Sequence, residues 1–138
     1  MTAWRRAMVL FAAAAAFCAV PLLGWAAELK VVDGDTLRRG PDLLRLQDID
    51  APETYEPRCP AELRRGKQAT ARLNELVRSA QKVRVVESGK RDRYGRLLVT
   101  LLVDGRDVGD ILIAEGLAVP WENGRRAWFK RRAHWCGR

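Results

Sequence analysis

Three short stretches of this chain hold the residues able to do chemistry. In Val31-Val32-Asp33-Gly34-Asp35-Thr36, two acids flank a glycine and offer the oxygen donors that a hard cation prefers. Asp-Gly is also a common turn dipeptide, and turn chemistry alone accounts for it. In Arg45-Leu46-Gln47-Asp48-Ile49-Asp50-Ala51-Pro52-Glu53, one cation and three acids fall within nine residues beside an apolar strand. In Arg91-Asp92-Arg93-Tyr94-Gly95-Arg96, cations and a phenol share one turn. All of them can meet a phosphate, although a solvated basic turn reads the same way.

The rest of the inventory narrows the chemistry. His134 is the only histidine, which excludes a histidine-pair ribonuclease and a histidine within a Cys-rich zinc cluster. Neither a GxxxxGK[ST] phosphate loop nor a G-x-S-x-G nucleophile elbow is present. Carboxylates and arginines therefore remain as the candidate groups. A phosphodiester hydrolase without histidine needs a carboxylate-held cation, a carboxylate base, and cations facing the charge that builds on phosphorus. The three stretches supply each part once.

These residues must be positioned by a small fold. Leu29 to Val32, Thr36 to Arg38 and Leu43 to Leu46 read as strands separated by Asp33-Gly34 and Gly40-Pro41-Asp42. Pro52 ends that region and puts Glu53 on a loop at a strand end. Leu63, Ala69, Leu73, Leu76 and Val77 recur at helical spacing between Ala61 and Ala80, with arginines on the other faces. Val83 to Val86 and Leu97 to Val103 are strand-like, Asp104-Gly105 is a hairpin turn, and a shorter helix runs from Val108 to Glu115 before Gly116. This order predicts an α+β domain, a five-stranded OB-type β-barrel with two or more packed helices. From about residue 123 the chain reads as a short basic and aromatic tail without a final long helix, tethered only by its cysteine.

At 138 residues and 48% apolar content, the chain has room for one core. Arg5 and Arg6 precede an apolar run from Ala7 to Leu23 and then Gly24-Trp25-Ala26, the order of a secretory signal peptide over residues 1–26. An uncleaved membrane anchor is the alternative reading. Residues 27–138 then form the domain, and the chain is expected in a periplasmic or extracellular setting. Cleavage removes two arginines and no acids, taking the net charge from +8 to +6 and leaving a surface suited to a polyanion. Of 25 basic residues 20 are arginine, whose planar fork suits phosphate, although genomic base composition has the same effect. Cys59 and Cys136 remain in the exported chain as a candidate disulfide pair, since their spacing excludes a CxxC metal site.

The motifs VxDGDT, RLxxIDAPE and DRYGR, in this order, make the sequence similar to the staphylococcal nuclease, or thermonuclease, family. The likeness runs from about Leu29 to Trp121 and includes Gly116-Leu117-Ala118. The resemblance implies an OB-type barrel and a calcium-dependent nuclease acting on DNA, RNA or both and leaving 3'-phosphate ends. By motif position it implies Asp35 and Asp50 as Ca²⁺ carboxylates, with Ala51 adding its backbone carbonyl. Glu53 takes the place of the glutamate that activates water, and Arg45 and Arg96 those of the phosphate-binding arginines. Arg93 and Tyr94 fall where the family places residues flanking the bound nucleotide; Trp121 reads equally as a base-stacking surface or as a core or strand-end tryptophan. A monomer without a stable protein partner is expected.

Two rival readings accompany this one. A non-catalytic nucleic-acid-binding module of the same fold would show gaps among Asp35, Arg45, Asp50, Glu53 and Arg96, and none is present. An envelope protein whose basic tail engages anionic lipid is permitted by the leader and the aromatic, basic C-terminus.

Overall fold

The computed structural model describes residues 28–137, so the expected leader lies outside the described residues. The first hairpins form as the turn residues dictate. Strand β1 (Leu29–Val31) pairs antiparallel with β2 (Thr36–Arg39), which pairs antiparallel with β3 (Asp42–Leu46). Asp48, at φ 63°, turns the chain into the two-residue β4 (Ile49–Asp50). Helix α1 (Pro60–Ser79) follows, with a proline in its first turn and the Cys59 sulfur accepting the Glu62 N–H at its start.

The second half returns to the sheet. Strand β5 (Val83–Arg91) pairs antiparallel with β6 (Leu97–Val103), with a register shift between Glu87 and Arg91. Asp104 and Gly105, both at positive φ, turn β6 back into β7 (Arg106–Asp107). Asp107 caps helix α2 (Val108–Ala114), and Gly116 at φ 71° ends it. The short β8 (Val119–Pro120) pairs with β4, and helix α3 (Arg125–Cys136) closes the domain.

β3 and β6 are joined in parallel, giving the strand order β1-β2-β3-β6-β5 with β7 on β6. The expected mixed α+β class and the five-strand path are present. No pairing of β1 with β5 turns that path into a closed ring among the described residues; β1 lies against α1 instead. The core is built from alternate residues of the strands, Leu37, Leu44, Leu46, Val99, Leu101 and Val103. It is covered by Leu73 and Leu76 of α1 and by Val108, Ile111 and Leu112 of α2.

The C-terminus departs from the sequence reading. Residues from 125 onward are not an irregular tail; they form α3, and the cysteine is one of several tethers. The Cys59–Cys136 disulfide ties the end of α3 to the start of α1, Trp135 and Ala127 are buried, and Arg131 reaches Asp50. The helix escaped the sequence reading because Trp128 and Phe129 face solvent while Ala127 and Trp135 face inward, which destroys an amphipathic pattern. β4 and β8 were missed because two residues carry no periodicity.

One glycine sets how closely α1 approaches the loop after β4. A Cβ at Gly66 would lie 2.7 Å from the Pro52 carbonyl oxygen, 2.8 Å from Thr54 Cγ2 and 2.9 Å from the Glu53 carbonyl oxygen. Ala is the better helix former by about 1 kcal/mol, but overpacking against backbone costs about 1–3 kcal/mol. Gly66→Ala is expected to lower the urea midpoint, against the gain that helix propensity alone predicts.

Candidate active site

The site is organised around one buried cation. Thr36 of β2 is in register with Arg45 of β3, so the turn that carries Asp35 lies beside the Arg45 side chain. The Arg45 Nη2 group is 3.0 Å from Asp35 Oδ2 and 3.2 Å from Asp50 Oδ1, and Nη1 donates to the carbonyls of Leu46 (2.5 Å) and Ile49 (3.0 Å). Asp35 Oδ2 also accepts the Ala51 N–H at 2.9 Å, and its Oδ1 accepts the Thr36 hydroxyl at 3.1 Å. Asp35, Arg45, Asp50 and Ala51 are all buried.

Gly34 makes this close approach possible in a way that turn chemistry did not suggest. A Cβ there would lie 2.7 Å from Ala69 Cβ in α1 and 2.8 Å from Ala51 Cβ. The glycine serves packing of the turn against helix and loop.

The electrostatics follow from burial. Desolvation raises the Asp35 pKa from 3.8 to about 7, with Asp33 and Asp50 adding to the rise and Arg45 and the Ala51 N–H opposing it. Burial raises Asp50 as well, against Arg131, Arg45 and Arg58. Two buried carboxylates side by side form an all-oxygen donor set of the kind that a hard divalent cation takes, with Arg45 and Arg131 balancing their charge.

Glu53 sits on the loop between β4 and α1 and is exposed, with no hydrogen bond or ion pair to its carboxylate among the described residues. Desolvation by the surrounding protein, then the charges of Asp50, Asp33 and Glu62, raises its pKa. The loop is held from behind by Glu62 of α1, whose side chain is fully buried. Glu62 accepts the N–H groups of Glu53 (3.4 Å) and Arg58 (2.7 Å) and the Arg58 guanidinium. Burial pushes the Glu62 carboxyl up, but these bonds outweigh it and hold the group below its usual range.

The third stretch meets the first across the sheet. Arg96 Nη1 lies 3.3 Å from the Thr36 hydroxyl, next to Asp35, while Asp92 holds Arg96 Nε at 2.7 Å and its N–H at 3.0 Å. Arg93 donates to the Tyr94 hydroxyl at 2.7 Å, and Tyr94 is exposed beneath both Arg93 and Arg96. Trp121, half-exposed after β8, has Arg45 at 5.7 Å and Arg131 at 5.1 Å from its ring centre. An open groove of about 800 Å³ runs from Arg93 and Tyr94 past Trp121 to Trp128 and Phe129 of α3.

The structure thus gathers Asp35, Arg45, Asp50 and Ala51 into one network, with Arg96 adjoining it, Glu53 on the neighbouring loop, and Arg93 and Tyr94 at the groove. Cys59 and Cys136 are bonded behind it. Sequence reasoning missed Glu62, which looked like one more polar residue on a helix, and Arg131, which lay in a stretch read as irregular. The Arg131 Nε is 2.7 Å from Asp50 Oδ2.

Comparison with known proteins agrees with this arrangement. The profile described as staphylococcal nuclease homologue matches residues 43–133. The chain belongs to that family. Its relatives include the SPbeta prophage-derived endonuclease YokF of Bacillus subtilis (strain 168), 39% identical over 94 residues, 64% of this chain and 31% of that protein. Endonuclease YncB of the same strain is 37% identical over 94 residues, 64% of this chain and 44% of its own length. The succinoglycan biosynthesis protein ExoI of Rhizobium meliloti (strain 1021) is 35% identical over 105 residues, 73% of this chain and 53% of its own. The chain spans less than two thirds of each of these relatives. The family match includes most of α3, so the helix missed in the sequence reading lies within the matched region.

The raised Asp35 pKa has a stability consequence whose sign is fixed. A carboxyl that titrates higher in the folded chain than in the unfolded one binds the extra proton in the native state, so its contribution declines as pH rises between the two values. The Asp35 contribution to stability of the metal-free protein is therefore expected to decline from about pH 4 to pH 7. Asp35→Asn should flatten that decline in urea titrations at stepped pH.

Proposed function

We propose that this chain is an exported, calcium-dependent nuclease that hydrolyses phosphodiester bonds of DNA or RNA and leaves 3'-phosphate ends. The observation that carries the reading is the convergence of Asp35, Arg45 and Asp50 in one buried network. Arg96 sits at its edge and Glu53 is open to solvent beside it. The nuclease names of two relatives and the family match support it. Export is supported by the charged and apolar leader and by a disulfide, the bond of oxidising compartments.

Asp35 and Asp50, with the Ala51 carbonyl, would hold Ca²⁺, which supplies Lewis-acid polarisation of the phosphoryl oxygen. Glu53 acts as general base and takes a proton from the attacking water, a task that suits a carboxyl whose pKa is raised above its ordinary value by desolvation and neighbouring acids. Arg45 and Arg96 face the charge that grows on the phosphoryl oxygens. Arg45 directs three hydrogen bonds to acceptors within the network and lies in ion-pair contact with Asp35; its Nε–H has no acceptor among the described residues and is left for a phosphate. Arg96 keeps donors beyond its bonds to Asp92 and Thr36. The groove past Tyr94 and Trp121 gives unpaired bases aromatic faces, and Arg93 and Arg125 on its walls suit their phosphates.

Cleavage of a fluorescent single-stranded DNA is expected to require Ca²⁺ and to stop with excess chelator. Glu53→Gln should lower kcat by about 10²–10⁴-fold with DNA affinity nearly intact. Arg96→Ala should cost about 2–4 kcal/mol of transition-state stabilisation in kcat/KM. Near-wild-type turnover in either variant refutes the assignment, and tight binding without cutting under any metal favours the binding module.

A further inference from the structure

Among the described residues, Arg131 is the cation of α3 that reaches the acidic network. Its Nε lies 2.7 Å from Asp50 Oδ2, its Nη1 donates to the Glu122 carbonyl at 3.0 Å, and its guanidinium lies over Trp121. The side chain is 14% exposed and that of Asp50 12%, so solvent screens the pair only weakly. Arg45 already holds the other oxygen of Asp50. Both carboxylate oxygens of the proposed metal ligand are thus engaged by guanidinium groups.

The two arginines are not equally able to yield. Arg45 emerges from the middle of the sheet and is fixed by two carbonyls and two carboxylates. Arg131 stands on α3, outside the sheet, bound to one carboxylate and one carbonyl. Resting on the metal-dependent reading above, we propose that Arg131 is an internal counter-ion for Asp50 that competes with the divalent cation and sets the concentration at which the site loads. α3 delivers this charge, and the Cys59–Cys136 disulfide keeps the end of the helix against α1 where it can do so. A fixed positive charge in contact with a ligand oxygen opposes a second cation at that oxygen by direct Coulomb repulsion. Its role is to tune affinity, and it acts through Asp50.

Calorimetric titration of Ca²⁺ into the disulfide-intact chain tests this without reference to cleavage. Arg131→Gln is expected to bind Ca²⁺ about tenfold more tightly than wild type, the size of a partly screened charge repulsion at contact distance. Arg131→Lys, which restores the charge, should return affinity toward wild type. A residue that merely supports the fold gives the opposite order, with weaker binding in Arg131→Gln. Equal or weaker binding in a variant whose circular dichroism matches wild type overturns the proposal.

A second measurement needs no variant. The Arg131 Nε–H resonance of the wild-type chain should shift along the Ca²⁺ titration with the calorimetric Kd, and a resonance unmoved at saturation also overturns the proposal. The two readings fail separately. A chain that cleaves with Ca²⁺ while Arg131 stays in place loses the counter-ion and keeps the nuclease. A chain that cleaves nothing, yet binds Ca²⁺ more tightly as Arg131→Gln, keeps the counter-ion and loses the nuclease. Absence of Ca²⁺ binding in wild type and variant alike overturns the counter-ion together with the calcium reading.

Discussion

The Arg45 guanidinium is the constraint on which the rest of the site depends. It sits in the centre of the sheet, in register with Thr36 on one side and Leu98 on the other, and bonds two carboxylates and two carbonyls. Without it, Asp35 would be buried with no guanidinium partner, a state that costs several kcal/mol for an ion, and Asp50 would keep only Arg131. A one-residue slip of β3 would turn Arg45 to the opposite face, leaving Asp35 without its cation and Asp50 with Arg131 alone. The strand register and the acidic centre therefore specify each other.

Around that centre, small residues and a buried acid set distances that larger side chains would spoil. Gly34 lets the acidic turn rest on Ala69, and Gly66 lets the loop of Pro52, Glu53 and Thr54 rest on α1. Glu62 then gathers the N–H groups of that loop from below and is itself neutralised by Arg58. The loop remains open at Glu53 while its backbone is fixed. Helix α1 thus contributes the support for both acidic stretches, through Ala69 beneath the first and through Gly66 and the buried Glu62 beneath the second.

The sequence was most legible where local chemistry and tertiary role agree. The inward residues of α1, the alternation of Val99, Leu101 and Val103, and the Asp104-Gly105 turn each read directly as the element they form. The site residues were legible because they lie in three compact stretches that the sheet brings side by side. Gly34 was read as a turn former, yet its requirement is the contact with Ala69 and Ala51, which no local pattern reveals. Arg131 was invisible for a related reason: its partner is 81 positions earlier, and its helix buries one small residue and one tryptophan in a basic stretch. A pattern based on apolar periodicity cannot detect a helix held by an ion pair and a covalent bond.

The parallel pairing of β3 with β6 carries a consequence for assembly. Arg45 and Arg96 belong to hairpins on opposite sides of α1 in the sequence, and the acidic turn that Arg45 holds comes within reach of Arg96 when Leu44, Arg45 and Leu46 align with Leu97, Leu98 and Val99. Local hairpins and the helix close short loops at small entropic cost, whereas this alignment must close a loop that contains the whole of α1. A chain emerging residue by residue therefore holds every acid of the centre, and the first arginine, well before the second exists to join them. During synthesis the acids of the centre are present before their partners across the sheet, and the pairing of longest sequence separation in that sheet is the one that sets Arg45 and Arg96 on neighbouring strands of the proposed active site.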